Sequence, residues 1–463
     1  MMIALALLTT GTAWAEDLPK DSLKVVDIEE VVVIAAPKEN RKLRELPTAT
    51  TLLSQQDMQA NQVQSVKNLT GIVPNLFIPD YGSKLTTSIY IRGIGSRINT
   101  PSVGLYVDNI PYIDKSAFDF NYADIERIDI LRGPQGTLYG RNTMGGLIKV
   151  HTKSPFTYQG TDIRMGAATY NNYNVSLTHY HRISDRFAFS TGGFYEHAGG
   201  FFENMTRNNE KVDKSNAGGG RFRGIYMPTS NLKIDMTLNY EYGDQGGYPY
   251  EYTGVTQGEE TRPEYIGKIA NNERSGYRRG LLNSGINIEY QARNFILSAV
   301  TGYQNLNDRM FLDQDFTEKD IYTLEQKQRA NTSSEEITFK SKPGNNWQWA
   351  TGVSGFYQWL HTTGPVQFGQ EGVRSVIEDN ANEQFENITA GNPRAPKMHM
   401  NINNQGLAVG GSFDTPILNG AIFHQSTFNN LFIKGLSATV GLRLDYEKLK
   451  MDYNSVSDPL NFY

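Results

Sequence analysis

The chain contains no cysteine, which excludes a disulfide framework and thiol chemistry of any kind. Basic residues are not in excess: 44 Lys and Arg stand against 49 Asp and Glu, a formal charge of −5 that gives nucleic acid no electrostatic footprint. Nowhere do 18 apolar residues run consecutively, so no transmembrane helix is expected. A membrane-embedded form would have to be a β-barrel, the other architecture that satisfies every backbone group in lipid. A phosphate-cradling G-x-x-x-x-G-K-[ST] loop is also missing, and Gly93-Ile94-Gly95 lacks the third glycine of a dinucleotide fingerprint because Ile98 stands in its place. No Ser/His/Asp or Cys/His constellation stands out. His179 and His181 share one face of an expected strand, but no carboxylate or cysteine accompanies them at ligand spacing, so they read as interfacial residues and not as a metal pair. Neither an enzyme nor a cofactor or metal protein is expected.

What is present begins with a short apolar run, Met1 to Leu8, ending in the small-x-small pattern Ala13-Trp14-Ala15. It reads as a signal peptide over 1–15, cleaved before Glu16. A polar stretch follows to Asp27, and then the extended segment Ile28 to Ile34. The densest motif lies from Tyr122 to Ser154. Ile125, Ile128 and Ile130 carry strand spacing; Arg132-Gly133-Pro134, Gly136, Tyr139-Gly140, Asn142 and Gly145-Gly146 then break it, before Leu147, Ile148 and Val150 resume. Such glycine density predicts tight turns with positive φ and no helix.

Glu30-Val31-Val32-Val33, Ile91-Arg92-Gly93, Tyr106-Val107-Asp108, Ile125-Glu126-Arg127, Leu131-Arg132-Gly133-Pro134, Leu138-Tyr139-Gly140 and Gly145-Gly146 follow one another within one stretch of about domain size. In order and spacing this series resembles the plug domain of the TonB-dependent outer-membrane receptors. The resemblance implies a plug over 35–155 and a mature N-terminus over 16–34. Glu29, Glu30, Val31, Val32 and Val33 would be the TonB box that adds a strand to a TonB-type energy transducer, or else the first plug strand. The family commonly has threonine where Glu30 stands. It further implies plug–barrel contacts at Arg92, Glu126, Arg127, Arg132 and Arg141, and plug turns at Gly93, Gly133, Pro134, Gly140, Gly145 and Gly146.

Within the plug, Ser54 and Asp57 make a capping-box start for a helix over 54–69, and short strands are expected at 88–92 and 103–107. Beyond Pro155 the texture changes. Leu232, Ile234, Met236, Leu238, Tyr240 and Tyr242 alternate with polar residues, as do Leu436, Ala438, Val440, Leu442, Leu444 and Tyr446. Period-two runs of this length fit tilted membrane-spanning strands. Strands are expected near 160–171, 173–183, 186–197, 217–227, 231–242, 281–290, 293–305, 331–341, 346–358, 421–429 and 435–448. Every second link is then a short turn, and the links 198–216, 243–280, 306–330 and 359–420 are long and fall on one side, the pattern of an outer-membrane barrel. An odd count leaves an open edge that lipid does not tolerate. The family closes with about 22 strands. The expectation is therefore an α+β plug followed by about half of an antiparallel transmembrane β-barrel over 156–463, truncated near its middle.

The loop 243–280 carries Tyr248, Tyr250, Tyr252, Tyr265 and Tyr277 with Arg274, Arg278 and Arg279, and Tyr81, Arg97 and Asn99 of the plug could join the same outer pocket. Aromatic faces with guanidinium groups suit an anionic, partly aromatic ligand. Tyr81, Arg97, Asn99, Tyr248, Tyr250 and Arg278 are the ligand-binding candidates. The resemblance implies an active transporter in the outer membrane of a Gram-negative bacterium, embedded in its lipid, that imports a scarce nutrient. A ferric siderophore comes first, with cobalamin, haem or carbohydrate as alternatives. A passive porin or adhesin is the reading of a different class, and a secreted β-sheet hydrolase a third.

Overall fold

The computed structural model describes Lys38 and residues 48–63, 65–97, 100–121, 124–254, 262–392 and 394–463. The expected signal peptide, the expected box Glu29 to Val33, and Asn99 lie outside the described residues.

The plug is built on a five-stranded sheet. We label its strands β1 (Ala49–Ser54), β2 (Val103–Val107), β3 (Ile110–Tyr112), β4 (Ile125–Arg132) and β5 (Gly146–Thr152); their spatial order is β1-β4-β5-β2-β3. Only β2 and β5 run parallel. β5 is buried on both faces, with Lys149 held among Leu147, Ile148 and Val150. One core gathers Leu69, Ile91, Val103, Leu105, Ile130, Ile148 and Val150 around Phe118 and Phe120.

The helix starts as the capping box predicts, with Ser54 and Asp57 satisfying each other's backbone N–H groups, but it covers only Gln55–Ala60. Gln62 turns left-handed at φ 52°, and the Val63 N–H closes back onto the Met58 carbonyl, a helix-ending geometry that overrides the apolar spacing further on. A separate 3₁₀ turn, Val66–Gly71, carries Leu69 into the core. The expected strand 88–92 shrinks to Tyr90–Ile91, paired with Leu76–Phe77. The glycine-rich stretch does contain one helical turn, Gly136–Tyr139, against expectation. Positive φ at Gly133 and Gly140 brackets that turn, and the turn lets Leu138 and Tyr139 pack on the large sheet.

The large antiparallel sheet carries eleven long strands: β6 (Gly160–Ala168), β7 (Asn172–Arg182), β8 (Phe187–Ala198), β9 (Ser215–Thr229), β10 (Leu232–Gly246), β11 (Gly276–Gln291), β12 (Phe295–Asp313), β13 (Tyr322–Ser341), β14 (Trp347–Thr363), β15 (Ile417–Phe428) and β16 (Ala438–Leu449). Each pairs with the next, and β6 and β16 form the two edges. Side chains alternate: Leu238, Tyr240, Ile286, Ile288, Tyr303, Phe339, Val353 and Tyr357 face outward and exposed, while Leu281, Leu306 and Ala330 face inward and join the plug core.

Two expectations about this sheet change. β11 to β14 run several residues further toward the long-loop end than alternation suggests, because their outward positions there are polar: Arg278, Asn307, Arg309, Lys327, Arg329 and His361. The link 359–420 is not structureless, for it folds into Val366–Phe368, helical segments from Gln370 to Gly391, and Leu407–Asp414, which pairs with Asp452–Ser457.

Candidate functional site: the seam between plug and sheet

The tip of the plug hairpin between β2 and β3 is a two-residue turn, Asp108 and Asn109, with φ of 46° and 72°. Asp and Asn tolerate this left-handed pair, which matches the twist of the flanking strands. The turn drives two side chains into the wall. Ile110 seats against Gly285 of β11 and Gly302 of β12, which are direct cross-strand partners; a Cβ on Gly285 would lie 2.2 Å from the Ile110 Cδ1. Paired strand glycines of this kind mark a close approach of another element, a signal present in the sequence that the period-two reading passes over.

Asp108 is buried at 8% exposure and accepts from the Thr152 backbone N–H at 2.9 Å, the Thr152 hydroxyl at 2.7 Å, and the Arg221 guanidinium of β9. Arg223, also of β9, lies 3.6 Å from the same carboxylate, donates to the Thr152 carbonyl at 3.0 Å, and grips Asp235 of β10 with two bonds of 3.0 and 2.8 Å. Burial pushes the Asp108 carboxyl up, but Arg223, Arg221 and the two Thr152 bonds outweigh it and hold the group well below the usual carboxylate range. Charges are thus matched across the seam inside low-dielectric surroundings.

Two further clusters repeat the theme. Arg279, only 1% exposed, donates from β11 to the plug carbonyls of Ser116 and Asp119, the latter at 2.8 Å, and to Glu241 of β10 at 2.5 Å. The Asn121 N–H and Lys84 reach the same Glu241 at 3.3 and 3.6 Å. Lys38 is buried where its ammonium pairs with Glu336 of β13 and lies 4.7 Å from the Tyr139 ring centre and 5.5 Å from that of Phe423. Burial pulls the Lys38 amine down, with Glu336 opposing.

Of the charges the plug motifs single out, Arg141 reaches the sheet, pairing with Glu447 of β16 at 3.0 Å. Arg127 pairs inside the plug with Asp129 at 2.6 Å, Arg132 donates to the Pro74 carbonyl at 3.2 Å, and Arg92 and Glu126 are exposed. Gly93, Gly133, Gly140 and Gly146 all take positive φ. At Gly146 a Cβ would stand 2.4 Å from the Leu131 carbonyl oxygen; at Gly145, beyond the turn of Pro134, it would stand 2.9 Å from that of Ile94.

At the long-loop end Tyr81, Arg97, Tyr248 and Tyr250 come together. Arg97 stacks 4.5 Å above the Tyr81 ring, the Tyr250 hydroxyl donates to the Tyr81 carbonyl at 3.0 Å, and Tyr250 meets Phe316 at 4.8 Å between centroids. The Tyr248 N–H bonds Gly82 at 3.1 Å, so plug loop and sheet loop are joined by backbone. Arg278 stands apart on the outward face of β11, paired with Asp244 at 3.1 Å, and Tyr277 is buried in the wall with its hydroxyl on Asp308.

Comparison with known proteins agrees with this two-part geometry. Residues 42–147 match the family described as the TonB-dependent Receptor Plug Domain. The pesticin receptor of Yersinia pestis is 30% identical over 149 residues, 32% of this chain and 22% of the relative. The vitamin B12 transporter BtuB of Vibrio vulnificus is 28% identical over 216 residues, 44% of this chain and 32% of the relative. The chain therefore spans about a third or less of the curated relatives it matches. Among solved structures, the ferric yersiniabactin uptake receptor FyuA from Yersinia pestis aligns with TM-score 0.60 at 16% identity, over 89% of this chain and 61% of that one. The ferric-catecholate import receptor Fiu from E. coli K12 aligns with TM-score 0.56 at 11% identity, over 90% and 68%. Residues 42–147 thus match the plug domain of the TonB-dependent receptors, and that domain together with the antiparallel sheet beside it shares the fold of those solved structures.

Proposed function

We propose that the chain is the plug and part of the barrel of an outer-membrane active transporter that imports a ferric siderophore. The observation that carries this reading is the seam: beside apolar contacts, the plug meets the wall through three clusters of buried ions and hydrogen bonds. Buried ion pairs add little net stability compared with apolar packing, but they fix one geometry. A plug held in this way has a defined seat and can still be pulled from it, as a gate requires. Outer membranes hold no nucleotide fuel, so the pull must arrive mechanically, through a TonB-type transducer acting on the segment around Glu29 to Val33.

The outer cluster of Tyr81, Arg97, Tyr248 and Tyr250 supports the ligand class, since stacked rings and a guanidinium complement an anionic, aromatic chelate. FyuA and Fiu, solved neighbours named as receptors for ferric ligands, point the same way.

The test compares the amount of this protein in outer-membrane fractions of iron-starved and iron-replete cells, and the uptake of ferric ligand before and after the proton gradient is dissipated. The expected result is a rise under starvation and uptake that collapses with the gradient. Uptake that persists without the gradient would establish a passive porin instead; abundance indifferent to iron would shift the ligand to cobalamin or another nutrient.

A further inference from the structure

The outward face of β10 to β14 is asymmetric in charge. Among the described residues its Lys and Arg side chains are Arg278, Arg309, Lys327 and Arg329, and all four lie at the long-loop end. The opposite end of the same face is apolar or neutral, with Leu232, Tyr290, Phe295, Ser341 and Trp347.

Register sharpens the asymmetry. Arg278 stands opposite Arg309, and Arg309 opposite Lys327, so one row of cations crosses three adjacent strands spaced about 4.8 Å apart. Like charges placed directly opposite are destabilising. Asp244 offsets Arg278 at 3.1 Å, and Glu325 is shared between Arg309 at 2.5 Å and Lys327 at 2.9 Å. Arg329, one step nearer the apolar band and opposite Asn307 and His361, has no carboxylate at salt-bridge distance among the described residues. Four cations thus share two carboxylates, and with Tyr242, Asn307 and His361 they line one open groove. Directly below it stand Leu282 and Trp359 with Asn305 and Asn331 between them, and one row further Tyr303 and Tyr357.

We propose that this groove binds the phosphorylated headgroup of a lipid in the leaflet on the long-loop side, with the acyl chains lying along the apolar band. This rests on the reading of the sheet as part of an outer-membrane barrel. Guanidinium groups form forked, charge-assisted bonds to phosphate oxygens, and an anion there would relieve the like-charge row. Leu282 on β11, Tyr303 on β12 and Tyr357 and Trp359 on β14, set among Asn305, Asn331 and Ser333, favour a lipid over a free anion, which would meet the cations alone.

The test places the full-length protein in phosphatidylcholine nanodiscs doped with a bis-phosphorylated glucosamine lipid or with its dephosphorylated form, and measures by mass spectrometry the lipid retained after detergent extraction. Inorganic phosphate serves as the free anion. Wild type is expected to retain the phosphorylated lipid at least about tenfold better than the dephosphorylated one. Replacing three surface cations (Arg309→Gln, Lys327→Gln and Arg329→Gln) should abolish that preference, a loss of roughly a hundredfold at most from the attraction of each cation to an anionic surface. If the triple variant misfolds, Arg329→Gln alone, which breaks no ion pair, is expected to lower retention severalfold. Equal retention of both lipids by wild type, or displacement of bound lipid by millimolar phosphate, would overturn the headgroup site. Failure to insert into the nanodisc at all would instead sink the barrel reading on which it rests.

Discussion

The interior of the plug is buried and almost wholly apolar, whereas its boundary with the sheet, buried as well, adds matched charges to its apolar contacts. Inside, Leu69, Val103, Leu105, Ile130 and Ile148 are fully buried without a polar atom among their side chains. At the boundary, beside apolar contacts such as Leu281, Leu306 and Ala330, the buried groups include the charged Asp108, Arg223, Glu241 and Arg279. The first arrangement gains from removing apolar area from water, roughly 25 cal/mol per Å², and keeps the domain folded in any position. The second returns little net energy, because desolvation offsets attraction, but only one seating satisfies every charge. The difference teaches that folding and seating of the plug are separable, as the proposed gating requires.

The comparison breaks if one kind of substitution produces the other kind of defect. Asp108→Ala should have the largest effect on seating, about 3–5 kcal/mol, because it leaves Arg221 and Arg223 buried without their shared carboxylate. The chain has no cysteine, so a single cysteine placed on the plug reports release by its labelling rate without background. Labelling should rise sharply while the plug resists protease as before. Leu105→Ala should show the reverse at about 2–5 kcal/mol: a plug cut readily by protease, from loss of a fully buried side chain and the cavity left behind. A variant Leu105→Ala that releases the plug intact would merge the two regions and refute the distinction.

Gly285→Val tests the seat from the wall side. Its side chain would overlap Ile110, so seating should weaken by about 1–3 kcal/mol, and trimming the plug with Ile110→Ala should restore much of it.

Acidity gives a smaller and graded effect. The folded Asp108 carboxyl sits below its unfolded value, so its contribution is full above about pH 4 and is lost as pH falls toward the folded value. Asp119, held low by Lys84, Lys67 and Arg279 against the opposing push of burial, behaves alike. Labelling by a pyridyl disulfide, which its protonated pyridine keeps reactive toward thiols in acid, should therefore climb below about pH 4 in wild type and show a flatter acid response in Asp108→Asn. At the outer cluster, Tyr81→Ala should weaken ligand binding by about 1 kcal/mol, a fivefold change in titration, while leaving labelling unaltered.

Much of this was legible in advance. The eleven long strands fall where alternation puts them, because one face carries exposed apolar side chains and the other turns toward the plug, which leaves a period of two along the chain. The capping box at Ser54 is likewise a local device and is visible locally. The plug boundary was harder. Arg141 is drawn to the sheet, yet Arg221, Arg223 and Arg279 sit in strands where an inward charge looks like any other polar alternate position. The folded pieces of the 359–420 link were hidden too, since Leu407–Asp414 is a strand only because Asp452–Ser457 lies beside it.

By itself, then, the sequence determined the two-part order, the strand count among the long strands and the side on which the loops gather, all consequences of short-range periodicity and turn chemistry. Only the tertiary structure decided which charges face each other. That Asp108 meets Arg221 across 113 positions, or Arg279 the Ser116 carbonyl across 163, depends on how the plug is rotated against the wall. Such pairings leave no local trace, because a buried ion and a solvated one are the same letter until the surrounding chain has removed the water.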